Sequence, residues 1–340
     1  MAYANLVDQN CAGFTEEAFQ RIRDFICKRN GTYDYSTTGI GWTLHDSHYA
    51  TDEDNCAIGD WFVVKSVGES GDEDLYYKIT WYAADNINIH GMLYWDAATD
   101  TAYKTYGSTT AQIVVADDDL AFPIWVYGDL DQVIIGSLVS SVYYFCSFGR
   151  TVDLPYDDTV ATCSSSLSSG NDVSITVDAI PSEWAVDRYL FIRDNAEMDK
   201  IKIKTLDAGT KTITADLAHN FSAGSKLCAD MYYQCSYSNQ ITAQSEGLIN
   251  HNEAESVTCY KKYSDTIDYC NPDDMNAELI GGEILLGGSS VGFFGKLKNI
   301  YKIADGVAGV NSEDVYTDFN SVDWRVFNAY STEWIAIKEV

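Results

Sequence analysis

Proline is scarce, with 4 residues in 340, so the chain is neither collagen-like nor a proline-rich linker. Basic side chains are few: 22 Lys and Arg stand against 51 Asp and Glu, a formal charge of −29. A surface of that sign repels phosphate, which argues against nucleic acid and anionic lipid as partners and for solubility. No apolar run is long enough to span a bilayer; the longest, residues 133–145, is broken by Gly136, Ser137, Ser140 and Ser141. Residues 1–10 lack a basic start and an apolar stretch, so synthesis in a cytoplasm without an export signal is expected.

Motifs that announce chemistry are missing as well. There is no G-x-G-x-x-G, no phosphate-binding P-loop and no H-E-x-x-H. Nine cysteines include no C-x-x-C pair, and an odd count in a long chain reads as reduced thiols used as small hydrophobes. Residues 288–292 fit G-x-S-x-G around Ser290. A hydrolase elbow needs a helix after the turn and a downstream histidine, whereas a strand-like run follows and the last histidine is His251. A Gly-Ser turn accounts for the match. His45 and His48, with Asp46, Asp52, Glu53 and Asp54 nearby, are donors suited to a divalent metal, but no third histidine is close and the stretch reads as an exposed loop. The acid runs at 117–119, 157–158 and 273–274 lack calcium-loop spacing and read as solvated loops. With 51 acids almost any carboxylate pair can be drawn, so a glycosidase argument identifies nothing. Asn30 and Asn220 head sequons that matter only in a secreted eukaryotic protein. No catalytic residue, metal or cofactor is expected.

What is present is aromatic and glycine-punctuated: Tyr 24, Phe 13, Trp 8 and Gly 24. That composition favours β structure and suits protein interfaces. The clearest architecture lies in residues 171–227, where Ser174–Asp178, Tyr189–Arg193, Lys200–Leu206 and Thr212–Thr214 alternate polar and apolar in short β-branched runs. Asp207 to Thr210 supplies a glycine-bearing hairpin turn. These strands make a small antiparallel barrel or sandwich. One helix is expected, about residues 15–29, with Thr15 as N-cap, Glu16 and Glu17 in its first turn, and Phe14 stapled onto Phe19. Phe19, Ile22, Phe25 and Ile26 share its apolar face, Arg21, Arg23 and Asp24 turn away, and Asn30-Gly31 ends it.

Strand-like runs then follow from Asp60 to Phe145 as a meander of about seven strands. The run Val142 to Phe148 resembles Met231 to Tyr237 in composition, which makes these two strands expected neighbours at the exit and return of the small module. The chain is therefore read as mainly β (α+β). Residues 1–149 plus 231–340 form an antiparallel main domain carrying the helix, and 150–230 an inserted small β-barrel or sandwich that should protrude.

Three stretches carry a resemblance: the inserted module from Val173 to Lys226, the run from Ile124 to Gly149, and the C-terminal strands from Phe294 to Lys338. Together they resemble virion structural proteins of tailed bacteriophages. The resemblance implies a non-enzymatic subunit at the neck, tail or baseplate, working as a symmetric oligomer. Its partners would be copies of itself and other virion proteins, with no nucleic acid and no membrane. The alternative is a receptor- or glycan-binding protein at the particle edge, with Tyr33, Tyr35 and Trp42 stacking on sugars; those rings are equally suited to packing on the helix. Lys200, Lys202 and Lys204 line one strand face in an acidic chain and are candidates for docking the next subunit, against the plainer reading of snorkelling surface lysines.

Overall fold

The structure is a computed structural model, and it describes residues 4–11, 15–69, 71, 74–105, 111–115, 122–150, 160–182, 184–228, 232–238, 244–248, 258–261, 282–288, 292–303, 311–317, 321–330 and 333–339. Among the described residues the chain is mainly β, with one N-terminal helix and several antiparallel sheets, one of them curled into a half-barrel.

The expected meander divides into two sheets, and a third comes from the C-terminal part. A front sheet runs in the order Thr43–His48, Trp61–Ser66, Leu75–Ala83, Asn86–Asp96, Thr101–Thr105, with Ala111–Val114 sharing the last edge by pairing with residues 86–89. A central sheet runs Ala4–Cys11, Phe122–Gly128, Gln132–Val139, Val142–Arg150, Tyr232–Ser238, Gln244–Leu248. A back sheet runs Thr258–Lys261, Gly282–Gly288, Gly292–Ile303, Glu333–Lys338, Asp323–Tyr330, Val315–Thr317. Alternation along Phe122–Gly128 sends Val126 and Trp125 to opposite faces, both buried, so the central sheet is covered on both sides. On one side Phe148 meets Tyr77 at 4.8 Å and Trp42 at 5.9 Å between ring centroids. On the other, Trp125, Tyr143 and Phe145 surround Phe327 at 5.0–5.6 Å. Gly136 makes room for that packing, because a Cβ there would sit 2.5 Å from the Phe145 ring.

The helix spans Thr15–Ile26, three residues shorter than the periodicity suggests. It ends in a Schellman arrangement: Arg29 N–H donates to the Asp24 carbonyl at 3.1 Å and Lys28 N–H to Phe25 at 3.2 Å, with Lys28 left-handed at φ 48°. Asn30-Gly31 is thus not the stop. Gly31 is needed for a close approach instead, since a Cβ would lie 2.5 Å from the Asp24 carboxylate. Phe19, Ile22, Phe25 and Ile26 enter the main core with Phe62, Val64, Tyr77 and Ile124; burying each such side chain contributes about 1.5–3 kcal/mol. Phe14 lies outside the described residues.

Arg23 and Asp24 do not turn to solvent. Both side chains are fully buried and paired at 2.8 Å. The loop at 49–56 covers the helix face opposite the sheets: Arg23 also donates to Thr32 Oγ1 at 2.9 Å and to the Glu53 carbonyl at 3.0 Å, while Asp24 accepts Tyr33 N–H at 2.9 Å.

The inserted module is a sandwich with its own core. One sheet runs Ala161–Thr162, Lys226–Cys228, Tyr189–Arg193, Met198–Lys202; the other runs Gly170–Thr176, Thr212–Leu217, Thr205–Asp207. Ile175, Leu190, Ile192, Ile201, Ile213 and Leu227 are among the side chains between them. The hairpin at 207–212 forms, with Asp207 accepting Gly209 N–H at 2.8 Å; the left-handed residue there is Lys211 at φ 54°, not the glycine. The strands on either side of the module pair directly, from Tyr144 with Ser238 to Arg150 with Tyr232, so the chain leaves and returns through neighbours. The module does not stand clear of the body. Phe191, Met198 and Cys228 belong to the main core, and Arg193 Nη1 donates to the Asp74 carbonyl at 3.1 Å.

Candidate functional site

A buried polar cluster sits where the front and central sheets meet, at the turn between Phe122–Gly128 and Gln132–Val139. Asp129 and Asp131 are 2% and 0% exposed, and with Glu69 they bring carboxylate oxygens within 4.8 Å of one another. Hard divalent cations take such oxygen sets. Here the oxygens meet donors from the chain itself. Asp129 Oδ1 accepts the N–H of Asp131 at 2.9 Å and of Gln132 at 3.0 Å, and its Oδ2 faces Asn299 Nδ2 at 3.4 Å. Asp131 Oδ1 accepts Glu69 N–H at 2.8 Å and faces the fully buried Arg150 guanidinium at 3.7 Å.

Neighbouring bonds extend the joint across both sheets. Ser66 Oγ donates to the Leu130 carbonyl at 2.6 Å, Trp42 Nε1 to the Asp129 carbonyl at 2.8 Å, and Tyr77 Oη to the Gly149 carbonyl at 2.9 Å. Gly149, at φ 140°, allows this closeness, because a Cβ would collide with the Asp131 carbonyl oxygen. The bonds of Ser66, Trp42, Tyr77 and Glu69 tie the front sheet to the turn and strands of the central one, while those of Asp129 Oδ1 fix the turn itself. The arrangement is that of a joint. Asp129-Leu130-Asp131 carries no motif in the sequence, and the partners brought from residues 42, 66, 69, 150 and 299 reveal its role.

The residues singled out from sequence are scattered. Trp42 is 2% exposed, with its ring among Tyr77 and Phe148, and Tyr35 lies edge-on to Phe25 at 5.4 Å. Tyr33 is half-buried beneath the Arg21 guanidinium, 4.0 Å from the ring centroid. Trp42 and Tyr35 are thus buried rather than presented to a sugar, and one face of Tyr33 is covered by Arg21. His45 and His48 are on the strand Thr43–His48 rather than in a loop; His45 packs edge-on to Tyr76 and His48 stacks on Trp61 at 5.8 Å. Among the described residues the carboxylate trio is the one metal-compatible group, and it contains neither histidine. The acid runs at 117–119, 157–158 and 273–274, and Ser290, lie outside the described residues.

The lysine row is not one strand. The chain passes between the module's two sheets at 203–204: Ile203 N–H donates to Arg188 in the first, and Lys204 N–H to Thr214 in the second. Lys202 and Lys204 are exposed but matched within the module, Lys202 to Asp187 at 2.7 Å and Lys204 to Asp172 at 2.8 Å and Asp216 at 2.5 Å. Lys200 lies 4.8 Å from the centroid of the Tyr189 ring. Met198–Lys202 is an edge strand, where lysines discourage addition of a foreign strand.

No protein-family model matches the chain, and no curated protein matches it either. Among the described residues no helix is long and apolar enough to cross a membrane.

Cys27, Cys56, Cys146, Cys163 and Cys228 are free thiols. Burial pushes Cys56 up to about 11, Cys27 and Cys163 up to about 12, and Cys146 further still. Thiols raised in the folded state leave stability intact below the unfolded value near 9 and erode it as pH climbs from there towards the folded values. Pulse alkylation at pH 8 followed by peptide mapping should show Cys27 and Cys163 with about a thousandfold fewer thiolates than free cysteine, hence slow labelling. Labelling as fast as in the denatured chain would contradict this burial.

Proposed function

We propose that the chain is a non-catalytic structural subunit of a tailed-bacteriophage particle, at the neck, tail or baseplate, assembling as a symmetric oligomer with copies of itself and other virion proteins. Residues 1–149 plus 231–340 serve as its main domain and 150–230 as an inserted one. The observation that carries this reading is the joint at Asp129, Asp131 and Arg150, where buried charges hold sheets together. Arg23 and Asp24 do the same between the helix and its loop. The β-rich, aromatic architecture and the resemblance of three stretches to virion proteins support it further. Nothing at Tyr33, Tyr35 or Trp42 favours the glycan-binding alternative.

Size-exclusion chromatography with light scattering tests it. The expected result is a discrete multiple of the 37.8 kDa chain, as closed point-group symmetry requires. A strict monomer in material released from particles would overturn the proposal.

The three lysines provide a separate test. Replacing Lys200, Lys202 and Lys204 together by glutamate places acids beside Asp187, Asp172 and Asp216, so the module should melt at a lower temperature while assembly proceeds normally. Assembly lost at an unchanged melting temperature would instead make these lysines a docking stripe.

A further inference from the structure

The front sheet has a second, smaller core. Alternation along its strands sets Val63 and Tyr76 on the face opposite Phe62, Val64 and Tyr77 of the main core. Val63, Tyr76, Met92 and Trp95 are buried together there, with Trp61, Tyr94 and Ala102 packed against them. Contacts across the sheet show that it curls round this cluster. Trp95 Nε1 donates to Asp46 Oδ2 at 2.6 Å and His45 Nε2 lies 3.3 Å from the Trp95 carbonyl, although two strands separate Thr43–His48 from Asn86–Asp96.

Lys78 is half-buried against this cluster, its Nζ 4.0 Å from the centroid of the Trp61 ring and 5.0 Å from that of Trp95. Indole faces attract an ammonium but have no lone pair to accept its N–H groups. Lys65, Lys202 and Lys204 each hold an aspartate at 2.7–2.8 Å, whereas no carboxylate among the described residues pairs with Lys78. Asp46, nearby, is engaged by Trp95 and by the Ser47 N–H at 2.8 Å. His90 stands directly opposite Lys78 in the strand pairing, with a buried Nε2. Around them His45 meets Tyr76 edge-on, His48 stacks on Trp61, and Lys65 lies 5.1 Å from the Tyr76 centroid. Burial holds Lys78 below the usual lysine value, against the pull of Asp100 and Asp46. Burial, with the Lys78 charge adding to it, likewise holds His90 below the usual histidine value.

We infer that Lys78 is a nucleophilic amine that captures small aldehydes as a reversible imine. A lysine desolvated among apolar side chains is the kind of amine that forms such adducts. Its nitrogen attacks the carbonyl carbon, and the two amine hydrogens leave with the carbonyl oxygen as water. A C=N bond replaces C=O, with no net oxidation or reduction. This site does not depend on the virion reading.

Formaldehyde with cyanoborohydride reduces each imine to a stable methylamine, and peptide mapping of the full-length chain at pH 7 then reads every lysine separately. Lys202 and Lys204 are the comparison: they are exposed, but their aspartate partners hold them above the usual lysine value. One unit between two pKa values is a tenfold difference in free amine, so Lys78 should be labelled about tenfold faster than either. In urea the three should label at one rate. Lys78→Arg, which keeps a cation on the rings, should remove the fastest-labelled site. Labelling of Lys78 no faster than that of Lys202 and Lys204 in the folded chain would overturn the inference. So would a fast phase that persists in Lys78→Arg.

Discussion

Replacing Trp42 by alanine should destabilise the chain by about 3–5 kcal/mol, the usual cost of emptying a buried aromatic site. The ring is 2% exposed and packs 5.9 Å from both Tyr77 and Phe148 between centroids. Its indole N–H donates to the Asp129 carbonyl at 2.8 Å, so truncation also removes a bond from the joint. The change should shift the urea midpoint with the slope unchanged, because the surface exposed on unfolding stays nearly the same. Trp42→Phe should recover much of the packing but not the bond, and fall between the two. A loss below about 1 kcal/mol would mean that the ring is at the surface, where surface substitutions have small effects, and would restore a role in meeting sugars.

Asp131→Ala should cost about as much, about 3–5 kcal/mol, through electrostatics rather than packing. Breaking a buried ion pair removes a counter-charge from the surviving group in a low-dielectric site. Asp131 and Arg150 are both fully buried, and Asp131 also accepts Glu69 N–H. Asp131→Asn, which keeps an oxygen for that N–H, should still lose most of the stability if the charge matters. Asp131→Leu combined with Arg150→Met should be milder than the sum of the singles, giving a favourable coupling in a double-mutant cycle. Calcium or a chelator should leave the melting temperature unchanged. A calcium-dependent rise would reassign Glu69, Asp129 and Asp131 to a cation.

The local elements of this fold were readable because their signals are local. The face of Phe19, Ile22, Phe25 and Ile26, the hairpin turn at residues 207–210 and the two-residue alternation of the module all follow from local signals. The pairing of Val142–Arg150 with Tyr232–Ser238 showed through a shared run of aromatic residues. Periodicity says which side chains turn inward but not towards which sheet, so the division into front, central and back layers was hidden. Thr43–His48 is an edge strand whose polar sequence read as a loop, and Ala4–Cys11 is an edge strand paired with residues 122–128.

Burial of charge was the least legible feature. Arg23 and Asp24 sit on the polar stripe of an amphipathic helix, and nothing in the helix itself reveals that residues 32 and 53 cover them. The lysine row misled for a related reason. Ile201 and Ile203 both enter the core, so alternation continues unbroken through a corner where the chain changes sheets. The joint at Asp129 and Asp131 draws on residues up to 170 positions away, beyond the reach of any motif.

The structural-subunit account rests on the chain being a repeated part of a particle, and imaging of purified particles tests that most directly. An averaged reconstruction of the neck, tail and baseplate, with this fold placed in the density, should show several copies related by rotation about the particle axis. The inserted module should be docked on the body through Phe191, Met198 and Cys228. Particles that lack the chain altogether, with all of it recovered free in the lysate, would contradict the account.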